Sequence, residues 1–334
     1  MWRREIETMI EIKKSKAKLW SRLGARATYG QAILEMAKER DDFFVMSADL
    51  GQSSGLGRFK EDFPDKFINA GIAEQNMIGL AAGLAKDGTN VFASSFSPFV
   101  TERCCEQVRM NMGYMQLPIK TVGLGAGLIM AQLGNSHYGI EDASVMRSIP
   151  GMTVIEPCDG VEIMKAVEAL CAYDKPAYLR LTGGPGLPVV YEENIDFQIG
   201  KAIRVRDGSD IGIISTGTMV YYSLKAVEML QQQGISASVI DMHTIKPLDI
   251  EAIIPEAEKK LLVTVEEATI VGGLGSAVAE ALALKINKAP QLMLGIDDYF
   301  PHAGDYAYML STTGLDAEHI AARIQTAYRE VASA

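Results

Sequence analysis

Residues 67–85 constrain the fold of this chain more than any other stretch. A short apolar strand, Phe67-Ile68-Asn69, runs to a glycine at Gly71. A helix starting at about Ala73 then carries Met77, Ile78, Leu80, Ala81 and Leu84 on its buried side. Glu74 falls in the first turn, where the helix dipole favours a carboxylate. Gly71, Ala73, Gly79, Ala81, Ala82, Gly83 and Ala85 surround it, which implies close packing against another backbone. A carboxylate in such a setting is either paired or used. The local pattern leaves a helix-start acid and a functional acid equally open.

The rest of the chain repeats strand and helix. Residues 1–23 mix Arg, Lys and Glu with apolar residues and read as an amphipathic helical extension. A helix over 26–40 follows. Strands are expected at 43–47, 67–69, 90–93, 118–124, 152–156 and 177–181. Helices are expected at about 100–112, from Ala143 to before Pro150, and over 160–172. Glycine and proline in 182–188 break the pattern, so 183–198 reads as a linker. A second unit alternates strands at 202–205, 211–215, 236–240, 261–265 and 292–295 with helices at 219–233, 250–259, 274–284 and 316–332. Its strands are short and largely apolar, as parallel strands covered on both faces are. The fold class is therefore α/β.

With 334 residues the chain is long enough for two domains. It is 48% hydrophobic and 22% charged, a globular composition. A formal charge of −10 argues against nucleic acid and against an anionic membrane surface. No apolar run reaches a membrane span, and the opening Met1-Trp2-Arg3-Arg4-Glu5 lacks the apolar core of a signal peptide. Cys104, Cys105, Cys158 and Cys171 show no Cys-x-x-Cys spacing, so buried thiols in a reducing cytoplasm are expected. The four histidines are scattered, and no metal-ligand cluster is visible.

Several residues carry both a structural and a functional reading. Asp49, Gln52 and Ser53 lie just beyond a strand end, where α/β folds place ligands. Phe96 and Phe99 stand three apart at a loop-to-helix start, a spacing that core packing also explains. His137 occupies a polar loop beside Gly134 and Asn135, a setting more suited to a ligand contact than to a core. The turn Gly272-Gly273-Leu274-Gly275 either cradles a phosphate or lets a helix pack closely.

The run Gly71-Ile72-Ala73-Glu74-Gln75-Asn76-Met77 resembles the pyrimidine-binding segment of transketolases and of 1-deoxyxylulose-5-phosphate synthases, which are thiamine diphosphate enzymes. Gln107-Val108-Arg109 also fits that pattern. Asp241-Met242-His243-Thr244-Ile245-Lys246-Pro247-Leu248-Asp249, and Thr264-Val265-Glu266-Glu267 followed by Gly272–Gly275, resemble the transketolase C-terminal domain. The resemblance covers nearly the whole chain. It implies two doubly wound domains: a pyrimidine-binding domain at 24–182 and a C-terminal domain at 199–334. It implies that Glu74 hydrogen-bonds N1′ of the cofactor's aminopyrimidine and that Phe96 and Phe99 hold that ring. By position, His137 matches a residue that contacts the sugar, Arg26 and Ser53 match residues that bind its phosphate, and Asp49 lies near the substrate channel.

The family's first domain, with a Gly-Asp-Gly motif followed by an asparagine, is not found; Gly208-Ser209-Asp210 is not that motif. The resemblance therefore implies the C-terminal subunit of a split transketolase. Its partner would be an N-terminal subunit that holds the diphosphate and Mg2+ or Ca2+. The expected assembly is α2β2 with contacts between like subunits, and the substrates are small sugars. No residue of this chain is assigned to metal. Three positions depart from the family: Leu133, Gly125 and Gly183 stand where an acid, a histidine and an arginine are usual, which removes charge-assisted bonds to a phosphate. A 2-oxo acid dehydrogenase beta subunit, a deoxyxylulose phosphate synthase-like enzyme and a non-catalytic regulatory subunit are the competing readings. The Gly-Ile-Ala-Glu-Gln form and Lys246-Pro247-Leu248-Asp249 favour transketolase.

Overall fold

In this computed structural model residues 10–333 are described. The strands are β1 (Phe43–Ser47), β2 (Phe67–Asn69), β3 (Asn90–Phe96), β4 (Ile119–Ala126), β5 (Thr153–Ile155), β6 (Ala177–Thr182), β7 (Ile203–Arg206), β8 (Ile211–Ser215), β9 (Ala237–Asp241), β10 (Thr244–Lys246), β11 (Leu261–Thr269) and β12 (Gln291–Ile296). The helices are α1 (Lys14–Leu23), α2 (Ala25–Glu39), α3 (Gly57–Asp62), α4 (Glu74–Lys86), α5 (Ser97–Val100), α6 (Cys105–Val108), α7 (Asp142–Ser148), α8 (Gly160–Cys171), α9 (Met219–Gln231), α10 (Ile250–Glu256), α11 (Leu274–Ala281), α12 (Tyr306–Thr312) and α13 (Ala317–Ser333). No helix or strand lies between β6 and β7.

Two α/β units result. The first sheet has the order β10-β5-β6-β4-β3-β1-β2, parallel except for β10. Its central strands β4 and β6 are buried along their whole length, because helices cover both faces. On one face α1, α2 and α8 supply Trp20, Ile33, Met36, Met164 and Leu170. On the other, α4, α6 and α7 supply Met77, Ile78, Val108 and Met146. The second sheet has the order β12-β11-β8-β9-β7, with β7 antiparallel at the edge. Helices α9 and α13 pack on one face and α10 and α11 on the other.

The two units are joined by more than the chain between them. Strand β10 follows β9 of the second sheet but pairs antiparallel with β5 of the first. Lys246 at its end donates to the carbonyls of Arg147 (2.8 Å) and Ile149 (2.6 Å), at the end of α7, where a cation suits the helix dipole. Leu128, Tyr138 and Ile140 from the loop after β4 pack into the core of the second unit. At the seam lies Arg180 of β6, fully buried. Its Nε donates to Asp142 (2.9 Å), Nη1 to Glu156 (2.6 Å), and Nη2 to the carbonyls of Gly139 (3.1 Å) and Glu267 (2.9 Å).

Four expectations need correction. The helix expected over 100–112 is broken: α5 stops at Val100, α6 starts at Cys105, and residues 109–114 form a π-helical turn. Thr101, at φ −108° and ψ −81°, leaves helical geometry and ends α5. Strand β3 runs on through Phe96, so Ser94–Phe96 are strand rather than loop. Strand β7 is antiparallel and only partly buried. Finally, Leu80 does not face the core but is 43% exposed. Nothing lies within 4 Å of a Cβ built on Gly71, Gly79 or Gly83, so the small-residue side of α4 is open in this chain. Of the N-terminal extension, α1 is helical from Lys14; residues 1–9 lie outside the described residues. Among the described residues no helix is long and apolar enough to cross a membrane.

Two outcomes are expected. Arg180→Ala leaves buried Asp142 and Glu156 without their cation and lowers unfolding free energy by about 3–5 kcal/mol in urea titrations. Lys120 in β4 is fully buried and donates to the Pro118 carbonyl at 2.7 Å. Burial lowers its pKa from the ordinary 10.5 to about 7. Between those values the unfolded chain holds a proton that the folded chain does not, so stability rises with pH, by at most about 1.4 kcal/mol per unit. In Lys120→Met that slope is lost, as read from urea titrations between about pH 7.5 and 9.5.

Candidate active site

Strand β2 ends at Asn69, the chain turns at Gly71 (φ +72°), and α4 begins at Glu74. Asn69 fixes that turn. Its Oδ1 accepts from the backbone N–H groups of Asp49 and Gly71, both at 3.0 Å, and its Nδ2 donates to Asp49 Oδ1 at 2.9 Å. Asp49 is thus a surface residue in the left-handed region (φ +59°), tied to the approach to Glu74.

Glu74 is 5% exposed. Arg103 Nη1 donates to its Oε2 at 3.0 Å, and Ser95 Oγ lies 3.5 Å from its Oε1. The Arg103 guanidinium also stands 3.9 Å over the ring of Phe99. Phe96 and Phe99 meet edge to face at 6.0 Å, and His137 packs against both, at 6.1 and 5.4 Å. The structure therefore brings Glu74, Phe96, Phe99 and His137 into one cluster. Burial, with Glu74 nearby, pushes the Cys104 thiol up to about 12, which keeps it protonated. Burial, with Asp142 nearby, raises the Glu102 carboxyl to about 7.

Arg26 and Ser53 form a second group. They line a cavity of about 260 Å³ together with Gly24, Gln52, Gly183 and Gly184. Ser53 and Asp49 also line a cavity of about 160 Å³ with Lys60 and Asn69. No hydrogen bond or ring contact joins Arg26 or Ser53 to the Glu74 cluster among the described residues. The departing positions have local causes. A Cβ on Gly125 (φ +64°) meets Met130 Cγ at 2.5 Å, and one on Gly183 (φ +78°) meets Leu187 Cδ1 at 2.4 Å. Leu133 is exposed. The glycine turn before α11 holds no open cradle. Glu266 fills it, accepting from the N–H groups of Leu274 (2.7 Å) and Gly275 (2.8 Å).

Sequence reasoning missed Arg103, Ser95 and Asn69. Arg103 stands four residues after Phe99, a spacing that stacks side chains on one helix face; that signal was present. Ser95 precedes Phe96 in a strand that was ended too early. Asn69 gave no signal, because its role lies in a contact with a turn twenty residues away.

The site fits a planar nitrogen heterocycle. Arg103 already places a flat N–H donor against Phe99 and on the Glu74 carboxylate, so the pocket accepts a planar donor in that position.

Comparison with known proteins shows the family. Residues 22–184 match the transketolase pyrimidine-binding domain, and residues 200–320 match the transketolase C-terminal domain. A Methanocaldococcus jannaschii protein, provisionally named a transketolase C-terminal section, is 42% identical over 90% of this chain and 95% of its own length. The 6-deoxy-6-sulfo-D-fructose transketolase subunit of Clostridium sp. strain MSTE9 is 41% identical over 88% of this chain and 91% of its own. A solved split-gene transketolase, an inactive β4 tetramer, superposes with a TM-score of 0.83 at 35% identity, covering 92% of this chain and 98% of its own. The chain belongs to the transketolase family and is similar along nearly its whole length to the C-terminal sections of split transketolases.

The crowding at Gly125 carries a stability prediction. Gly125→Ala costs more than about 1 kcal/mol, because it adds a Cβ at positive φ and presses on Met130. Thermal unfolding checks this, and Met130→Ala relieves only the steric part.

Proposed function

We propose that this chain is the C-terminal subunit of a thiamine diphosphate-dependent transketolase, moving a two-carbon ketol unit from a ketose to an aldose. The observation that carries the reading is a buried carboxylate, Glu74, framed by Phe96, Phe99 and His137. The chain offers these groups for an aminopyrimidine ring but matches only the pyrimidine-binding and C-terminal domains. Its likeness to a transketolase C-terminal section, a transketolase subunit and a split-gene transketolase supports assigning the diphosphate and its metal, Mg2+ or Ca2+, to a separate N-terminal subunit in an α2β2 assembly. The division into residues 24–182 and 199–334 around a linker belongs to the same reading.

When bound, thiamine diphosphate supplies the carbon centre that accepts and releases the ketol unit. The protein's part is orientation and electrostatics. Glu74, at the start of α4, would hold the ring nitrogen by a hydrogen bond. That contact would orient the ring, and the base and the carbon nucleophile would be the cofactor's own. Phe96 and Phe99 fix the ring plane and keep water off it. Arg103 turns aside from Glu74 or remains as its counter-ion. His137, packed against both rings, would hydrogen-bond the sugar. Arg26 and Ser53, in their own cavity, hold the far end of the substrate, and Asp49 borders its path. Crowding at Gly125 and Gly183 supports a far-end site with fewer cations than the family pattern.

The test is reconstitution with an N-terminal subunit, thiamine diphosphate and magnesium. Ketol transfer is expected from the mixture and from neither chain alone. Glu74→Ala reduces turnover by orders of magnitude with the fold intact by circular dichroism. Near wild-type turnover in Glu74→Ala would sink the assignment. Pyruvate decarboxylation in place of ketol transfer would move the chain to the 2-oxo acid dehydrogenases. Failure of the complex to bind the cofactor would leave a regulatory subunit.

A further inference from the structure

Away from the Glu74 cluster, Cys158, Glu162 and Asp241 meet at the seam between the two units. All three are fully buried. One ligand atom from each, the Cys158 sulfur and a carboxylate oxygen of Glu162 and of Asp241, lies within 4.8 Å of the others. Cys158 is a free thiol.

Each carboxylate is held by one oxygen and free at the other. Glu162 Oε2 accepts from the Cys158 N–H at 2.6 Å, and Asp241 Oδ2 accepts from Tyr191 Oη at 2.7 Å. Glu162 Oε1 and Asp241 Oδ1 are buried and have no hydrogen-bond partner. Nearby Asp159 is fully engaged by the N–H groups of Glu162, Val190 and Tyr191. Among the described residues no Lys, Arg or His forms an ion pair or hydrogen bond with the three. Buried negative charge of this kind must be neutralised by a bound proton or by a cation.

We propose that Cys158, Glu162 and Asp241 form a zinc site that joins the two units. The donor set favours Zn2+: thiolate and carboxylate oxygens suit this borderline ion, whereas Ca2+ and Mg2+ require more oxygens and no sulfur. The Cys158 N–H and the Tyr191 hydroxyl, which hold the other oxygen of each carboxylate, are the outer supports that orient ligands in metal sites. The site draws on the turn before α8, on α8 itself and on the end of β9, with Tyr191 of the connecting segment as one outer support. On loading, the thiol gives up its proton to water, and any proton held between the carboxyls leaves with it. A metal here staples the two units and takes no part in the reaction at Glu74.

The full chain, stripped with a chelator and titrated with Co2+ alone, tests the site. One equivalent is expected to bind with a near-ultraviolet thiolate-to-cobalt band, and Zn2+ displaces it. Cys158→Ser abolishes the band. Tyr191→Phe, which keeps the ring, weakens affinity by about 10–100-fold. Removal of the metal lowers the unfolding temperature. Absence of a stoichiometric equivalent, or a band unchanged in Cys158→Ser, overturns the proposal. The first of these results would mean that Glu162 and Asp241 share a proton instead. The wild-type titration decides the matter even if a variant fails to fold.

Discussion

Arg180 is the constraint on which the rest of the structure depends. A guanidinium cannot be left unpaired in a dry core, so every group around it is set by its donors. Asp142, Glu156 and two carbonyls converge on it from three chain segments, one of them β11 of the second unit. Asp142 passes the constraint on. Its Oδ2 also accepts from Ser97 Oγ (2.7 Å) and Tyr178 Oη (2.5 Å). Ser97 opens α5 between Phe96 and Phe99. The aromatic wall of the candidate site is therefore placed by a charge network at the seam of the two units, not by local packing.

The same seam holds the His137 loop. Tyr138 donates from its hydroxyl to the Pro301 carbonyl at 2.8 Å, and Glu267 accepts from the Leu128 N–H at 2.7 Å. One unit carries Glu74 and the rings, and the other holds the loop that completes the cluster. On the opposite side Ile72, before α4, and Leu80, on it, are exposed beside the open Gly79 and Gly83.

Much of this was legible in the residues. Runs such as 119–124 and 177–181, apolar apart from Lys120, Thr121 and Arg180, became central parallel strands. Glu74 and His137 were marked by small or polar neighbours, Phe96 and Phe99 only by the family resemblance, and in the structure the four lie together. The break after Val100 was not legible, because 100–112 has helical composition and departs only at the Thr101 backbone. Leu80 read as core because periodicity shows that a face is apolar, not what covers it. Strand β10 was invisible because three residues carry no period, and their pairing with β5 is a long-range contact.

By itself the sequence determined the order of strands and helices, the glycine turn before α4 and the carboxylate at its first residue. Those follow from local sterics, side-chain period and the helix dipole, which act over a few neighbouring residues. Only the tertiary structure decided that Arg103 pairs with Glu74 over Phe99, that β10 crosses into the first sheet, and that Cys158, Glu162 and Asp241 converge. Each of these brings together groups distant in the chain or joined across a broken helix. Their positions depend on how burial and charge pairing are satisfied for the whole molecule at once.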